Sequence, residues 1–172
     1  MGEAQVVAVA GTHGKSTTSS MISVMFDQLG ADPSFAVGTV IAGRGTNAHL
    51  GAQGPESIFV AEADESDGSF VRYRPAIAVV TNVEPDHLDF YETDERVFEA
   101  FNRFVGSLAP NGVVVTCADD AGAADLAARS RAAGVPVVTY GESADADLRI
   151  SEITSAGSSS SSHLSWSFEC RG

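Results

Sequence analysis

The chain has 172 residues, enough for one domain with a sizeable core and too few for two generous ones. Its 44% hydrophobic and 19% charged residues are those of an ordinary soluble globular protein, while a formal net charge of -13 argues against nucleic acid or an anionic membrane surface as a partner. No signal peptide and no run of about 20 apolar residues is present, and Cys117 and Cys170 stand in no metal-ligand spacing, so reduced thiols and a cytoplasmic location are expected.

Residues 6–10 form a short apolar, strand-like run that breaks at Gly11, turns through Thr12, His13 and Gly14, and delivers Lys15, Ser16 and Thr17 at a helix start. This order suits a phosphate cradle. Glycines let backbone N–H groups approach an anion, the helix N-terminus adds its positive dipole end, Lys15 supplies a charge and the Ser16 hydroxyl can ligate Mg²⁺. The stretch departs from the pattern GxxxxGK[ST], because Val9 stands at the first glycine position. A plain glycine turn with a helix cap also explains Gly11 and Ser16, but leaves Lys15 without a purpose.

The helix then runs to Leu29, with Met21, Ile22, Met25, Phe26 and Leu29 as its apolar stripe and Gly30 as its stop. Residues 35–54 are too glycine-rich for a regular element, and a short strand at 39–42 followed by a long exposed connection is expected. Residues 57–62 and 77–81 are continuous apolar runs, the pattern of strands covered on both faces. Each ends in polar residues, at the strand ends where an open parallel sheet gathers its ligands.

Thr93 reads as an N-cap with Asp94 and Glu95 in the first turn, and Val97, Phe101, Phe104, Val105 and Leu108 repeat at helical spacing before Pro110. A strand at 112–117, a helix at 121–133 and a strand at 135–140 continue the alternation. The expected fold class is therefore α/β: a mostly parallel P-loop sheet flanked by helices. Beyond Gly141 the pattern becomes alternating, at 147–153 and at Leu164, Trp166, Phe168 and Cys170, around a serine-rich link at 155–162 of flexible composition. A small antiparallel hairpin or subsheet at the C-terminal end is expected. The abrupt start before a strand and the end at Gly172 inside strand-like sequence give the further expectation of an excised, C-terminally truncated domain over residues 1–172.

Four clusters could carry chemistry. Residues 11–17 are the cradle. Glu62, Asp64, Glu65 and Asp67 form an acidic group whose spacing does not fit an EF-hand, and whose Glu62 sits on a strand end beside the cradle. With Ser16, Glu62 meets what a phosphate-held Mg²⁺ usually asks of a protein. The third group is Asn82, Glu84, Asp86, His87 and Asp89, in which His87 is either structural or a ligand. The fourth, with Arg44, Asn47 and His49, is either a substrate-recognising loop or a mobile polar one; His49 and His163 read as structural, and His13 as loop backbone.

In order along the chain, GTHGKSTT, AEADESDGSF and TNVEPDHLDFY resemble the central ATP-binding domain of the Mur ligases, the amide-forming enzymes of peptidoglycan precursor synthesis. The dense resemblance covers residues 6–91, and beyond residue 97 it rests on element order. It implies ATP and Mg²⁺ as cofactors, residues 11–17 around the phosphates, one Mg²⁺ at Ser16 and Glu62, a second near His87, and Lys15, Glu62 and His87 as the catalytic set. It also implies that 44–51, with Arg44 and Asn47, lies toward the UDP-sugar. Ser66 favours the branch that adds L-alanine to UDP-N-acetylmuramate through an acyl phosphate, over the branch that recycles whole murein tripeptides. A nucleotide-binding module without bond formation is the alternative from a different class. The family's N-terminal and C-terminal domains, and its later adenine-contacting motif, are not in this sequence, so they are expected as partners from the same polypeptide, and the chain alone is expected not to ligate.

Overall fold

The computed structural model describes residues 4–66, 68–85, 91–158 and 161–170 of the chain. Its strands are β1 (Gln5–Ala10), β2 (Ser34–Ala36), β3 (Ala48–His49), β4 (Ile58–Glu62), β5 (Ile77–Val80), β6 (Val113–Cys117), β7 (Val137–Gly141), β8 (Leu148–Ser158) and β9 (Ser161–Cys170). Its helices are α1 (Lys15–Gln28), α2 (Asp94–Gly106) and α3 (Ala121–Ala132), with one turn of 3₁₀ helix at Ser69–Arg72. Among the described residues the strands form one sheet in the order β3-β2-β4-β1-β5-β6-β7-β8-β9. Pairing is parallel from β2 through β8, and antiparallel at the two edges, β2 with β3 and β8 with β9. No described helix is long and apolar enough to cross a membrane.

The continuous apolar strands have the two-sided burial their composition implies. Val7, Val9, Val60 and Val79 point to the face that carries α1, joined by Phe35, Val37 and Ile41. Ala8, Ala10, Ala78, Val80 and Val114 point to the other face, under Val97, Phe101 and Phe104 of α2 and Leu126 of α3. Small alanines in the strands leave room there for the rings, and Phe70 packs against Phe101 and Phe104 at 5.3 and 5.1 Å between centroids. Truncating a ring so placed costs about 3–5 kcal/mol.

β1 has β4 on one side and β5 on the other, and the chain visits the β4 side before crossing to β5. That reversal opens a crevice at the carboxyl ends of β1, β4 and β5, which is where α/β sheets bind ligands. The register fixes what meets there: Val9 lies beside Glu62, and Ala10 beside Val80.

Three local expectations are corrected. Of the anticipated α1 stripe, only Ile22 and Phe26 pack inward; Met21, Met25 and Leu29 are 62%, 50% and 74% exposed, and the buried positions are Ser19 and Ser23. The small serines allow α1 to lie close on the sheet, and their hydroxyls return to Lys15 O and Ser19 O at 2.8 Å, which removes the penalty of burying them. The second strand lies at Ser34–Ala36 rather than at 39–42. Ile41 is still buried, but its carbonyl closes a turn onto the amides of Arg44 and Gly45, so the segment folds over β2 instead of extending. Finally, the serine-rich 155–162 is not a flexible link through its length: Ser155–Ser158 pair with Ser161–Leu164 as the end of the β8–β9 hairpin. Antiparallel pairing uses backbone groups that serine retains, and the irregularity falls instead between Ser151 and Thr154, where Glu152 has φ 54°.

Candidate functional site

The loop after β1 is shaped by the end of β5. Gly11 has φ +136°, and a Cβ there would lie 2.0 Å from Thr81 Oγ1, so the position demands glycine on both counts. Thr81 Oγ1 donates to His13 O at 2.6 Å, while Asn82 accepts from His13 N at 2.8 Å and donates to His13 O at 3.2 Å. Thr12 Oγ1 donates to Glu84 O and accepts from Glu84 N, at 3.1 and 3.0 Å. The backbone of 12–13 is thus held from the β5 side, and the exposed His13 ring contributes no contact closer than 4.0 Å to Glu84.

Gly14 then opens α1 in the left-handed conformation, φ 80°, with no side chain capping the helix and no acid in its first turn. Thr18 N is the first amide to reach back, to Gly14 O at 2.9 Å. The amides of Lys15, Ser16 and Thr17, in the first turn of α1, have no intrahelical acceptor and lie at the positive end of the helix dipole.

Two carboxylates, Glu62 at the end of β4 and Glu65 in the turn after it, meet this helix end. Ser16 Oγ donates to Glu62 Oε1 at 2.8 Å, and Gly38 N donates to Glu62 Oε2 at 2.5 Å. A Cβ at Gly38 would lie 2.9 Å from both Glu62 oxygens, so a larger residue there would make that carboxylate shift from its place. Lys15 Nζ donates to Glu65 Oε1 at 2.9 Å, to Gly11 O at 2.8 Å and to Thr12 O at 3.4 Å. Both partners are withdrawn from water, with 13% of the Lys15 side chain and 2% of the Glu65 side chain exposed. Tyr91 Oη donates to Glu65 O at 2.5 Å and fixes this turn from the far side.

Gly11, Thr12, His13, Gly14, Lys15, Ser16, Thr17 and Glu62 are therefore brought to one crevice. His87 lies outside the described residues, as do Asp67, Asp86 and Asp89, and among the described residues no group of three or more His, Cys, Asp or Glu side chains could hold a metal. Asn47 lines an open hollow of about 290 Å³ with Gly38, Glu62 and Asp64. Arg44 is turned elsewhere: it pairs with Asp27 on α1 and sits 5.9 Å over the Phe35 ring. His49 is structural, with Nε2 3.0 Å from Asp32 Oδ1 and its ring against Phe35. Sequence reasoning missed the Glu65 partner of Lys15, the Thr81 and Asn82 clasp, and the close approach of Gly38 to Glu62. One signal pointed to the first: Lys15 is the sole lysine of the chain, and a buried ammonium requires a carboxylate.

The family profile of the Mur ligase middle domain matches residues 9–170. The chain belongs to the Mur ligase middle-domain family. It is 58% identical over 147 residues to the UDP-N-acetylmuramate--L-alanine ligase of Arthrobacter sp. (strain FB24), covering 85% of this chain and 31% of that protein. It is 52% identical over 144 residues to the enzyme of the same name from Mycobacterium marinum, covering 84% and 29%. Among solved structures it is similar to the UDP-N-acetylmuramate:L-alanyl-gamma-D-glutamyl-meso-diaminopimelate ligase of Neisseria meningitides, with a TM-score of 0.75, 29% identity, and 88% and 49% of the two chains covered. It is also similar to the UDP-N-acetylmuramate-alanine ligase of Thermotoga maritima, with a TM-score of 0.72, 25% identity, and 89% and 32% covered. The chain thus spans about a third of the length of the curated Mur ligases it matches.

Proposed function

We propose that this middle domain supplies the ATP and Mg²⁺ site of a ligase that joins L-alanine to UDP-N-acetylmuramate. The observation that carries the phosphate part is an uncapped helix end with Lys15 and the Ser16–Glu62 pair beside it. The amides of residues 14–17 bind the phosphate oxygens, and Lys15 offsets charge where the γ-phosphoryl group leaves ADP for the substrate carboxylate. Phosphoryl transfer between two anions is chiefly a matter of positioning and charge neutralisation, which is what such a loop offers. The resulting acyl phosphate is attacked by the alanine amine, forming the amide and releasing phosphate.

The donor set fits Mg²⁺. A hydroxyl and a carboxylate oxygen 2.8 Å apart are hard oxygen ligands of the number this ion takes when phosphates and water supply the rest. Ser16 and Glu62 would hold it, and it would screen the β- and γ-phosphate charge. A second cation site at His87, and a part for Asn47 in placing the UDP-sugar, belong to the same reading; Arg44, engaged with Asp27, would first have to leave that partner. The remaining two thirds of the polypeptide, by the length of the relatives, would bring the UDP and amino-acid sites.

High identity to alanine ligases supports L-alanine over a tripeptide, which more distant solved structures, the Neisseria ligase at 29% identity among them, suggest. The test is phosphate release and product mass for the full-length polypeptide given ATP, Mg²⁺ and UDP-N-acetylmuramate with either amine. Alanine should support turnover. Turnover with the tripeptide alone would move the domain to a recycling ligase, and nucleotide binding without turnover on either amine would leave a non-catalytic module.

A further inference from the structure

The two acids at the end of β4 and in the turn after it divide their work. Glu62 is taken up by Ser16 Oγ and Gly38 N, whereas Glu65 faces Lys15. All three N–H bonds of the Lys15 ammonium end on this protein, at Glu65 Oε1, Gly11 O and Thr12 O. The loop's only ammonium is thereby neutralised by a carboxylate that is itself buried and whose backbone is anchored by Tyr91. An arriving phosphate has to compete with Glu65 for it. A buried pair competes far better than a surface one, because water neither screens nor replaces it.

We infer that Glu65 is a positioning residue for Lys15, and that by neutralising the ammonium it makes the loop select metal-complexed triphosphate over the metal-free anion. The inference rests on the reading of residues 11–17 as a phosphate loop. ATP without Mg²⁺ carries its full charge toward Glu62, Asp64 and Glu65, where the Lys15 ammonium is already engaged. The Mg²⁺ complex carries less charge and depends less on Lys15.

The test is calorimetric titration of this chain with ATP, once with Mg²⁺ and once in EDTA. In Glu65→Gln, which keeps the shape and an acceptor for Nζ but removes the charge, the preference for the Mg²⁺ complex should fall at least tenfold, chiefly through tighter binding of metal-free ATP. Glu65→Asp, which keeps the charge, should retain the preference. An unchanged preference in Glu65→Gln, with wild type binding normally, overturns the inference alone; no nucleotide binding by wild type overturns the phosphate-loop reading and the inference with it. Because Lys15 is the only lysine, ¹⁵N-lysine labelling gives one side-chain ammonium resonance, which reads wild type directly should Glu65→Gln not fold. It should be protected from water exchange in the nucleotide-free protein and shift when MgADP is added. An ammonium that exchanges freely before nucleotide is present would contradict the buried pairing.

Discussion

Helices α1 and α3 both begin at the carboxyl edge of the sheet, just after a strand, and their first turns are completed in opposite ways. At α3 the protein supplies its own anion: Asp120 Oδ1 accepts from Ala123 N at 2.7 Å and from Val83 N at 2.9 Å. Gly122 there lies so close to Val83 O that a Cβ would approach it to 2.0 Å, so the loop after β5 packs directly on this helix end. At α1 the capping position is a glycine and the first turn has no acid. A cap is worth about 1 kcal/mol, and its omission at one helix end, beside the chain's only lysine, marks the place left for an outside anion.

The largest effect expected from breaking this contrast is on catalysis. If the proposed ligase activity holds, Lys15→Ala in the full-length polypeptide should lower turnover by about 10³-fold or more, as the loss of a transition-state charge contact does. Turnover within twofold of wild type would remove Lys15 from that role. On the capped side the effect should appear in stability instead. Asp120→Ala removes a cap and strands the Val83 amide, and urea unfolding should show a loss of about 2–4 kcal/mol.

Making α1 resemble α3 is the reciprocal experiment. Thr17 is exposed in the first turn, and Thr17→Glu places an acid at the dipole's positive end. Thermal unfolding should show a gain of about 0.3–1 kcal/mol. The same change should weaken MgATP binding at least tenfold by calorimetry, so stability and binding move in opposite directions.

The smallest effect is a pH response on the α3 side. Burial, and then the charges of Cys117, Asp119 and Asp120, push the Tyr140 phenol up to about 12 from 10.0. The folded state holds this proton longer than the unfolded chain does. Its contribution to stability is therefore complete below pH 10 and is lost as pH rises toward 12. Tyr140→Phe should flatten this alkaline limb by about 1–2 kcal/mol, allowing for a ring that is only half buried. An unchanged slope between pH 10 and 12 would show that Tyr140 does not report this environment.

The two helix ends also differ in how far the sequence disclosed them. The cradle was legible because its features are local: an apolar strand, glycines at a break, and a lysine and a serine at a helix start. The alternation of β and α segments, the Thr93 cap and the β8–β9 hairpin were legible for the same reason. The contacts of Glu65, Thr81, Asn82 and Gly38 were not, although Glu65 and Asn82 stood among the residues that could carry chemistry, since each contact spans 24 to 69 positions of sequence through the placing of β4 and β5 on either side of β1. The face of α1 was misread because two apolar stripes compete on it and the smaller side chains won the contact. Within the link expected at 155–162, residues 155–158 and 161–162 pair in the hairpin, because composition speaks to chain flexibility while pairing depends on backbone groups.

The phosphates of a bound nucleotide, with their metal, should occupy the open end of α1. A crystal structure of this chain grown with ADP and Mn²⁺ addresses that directly, since Mn²⁺ replaces Mg²⁺ and scatters anomalously. The account predicts an anomalous peak within bonding distance of Ser16 Oγ and a Glu62 oxygen, and the β-phosphate over the amides of residues 14–17. A nucleotide bound elsewhere, with Ser16 still donating to Glu62 and no peak between them, would contradict it.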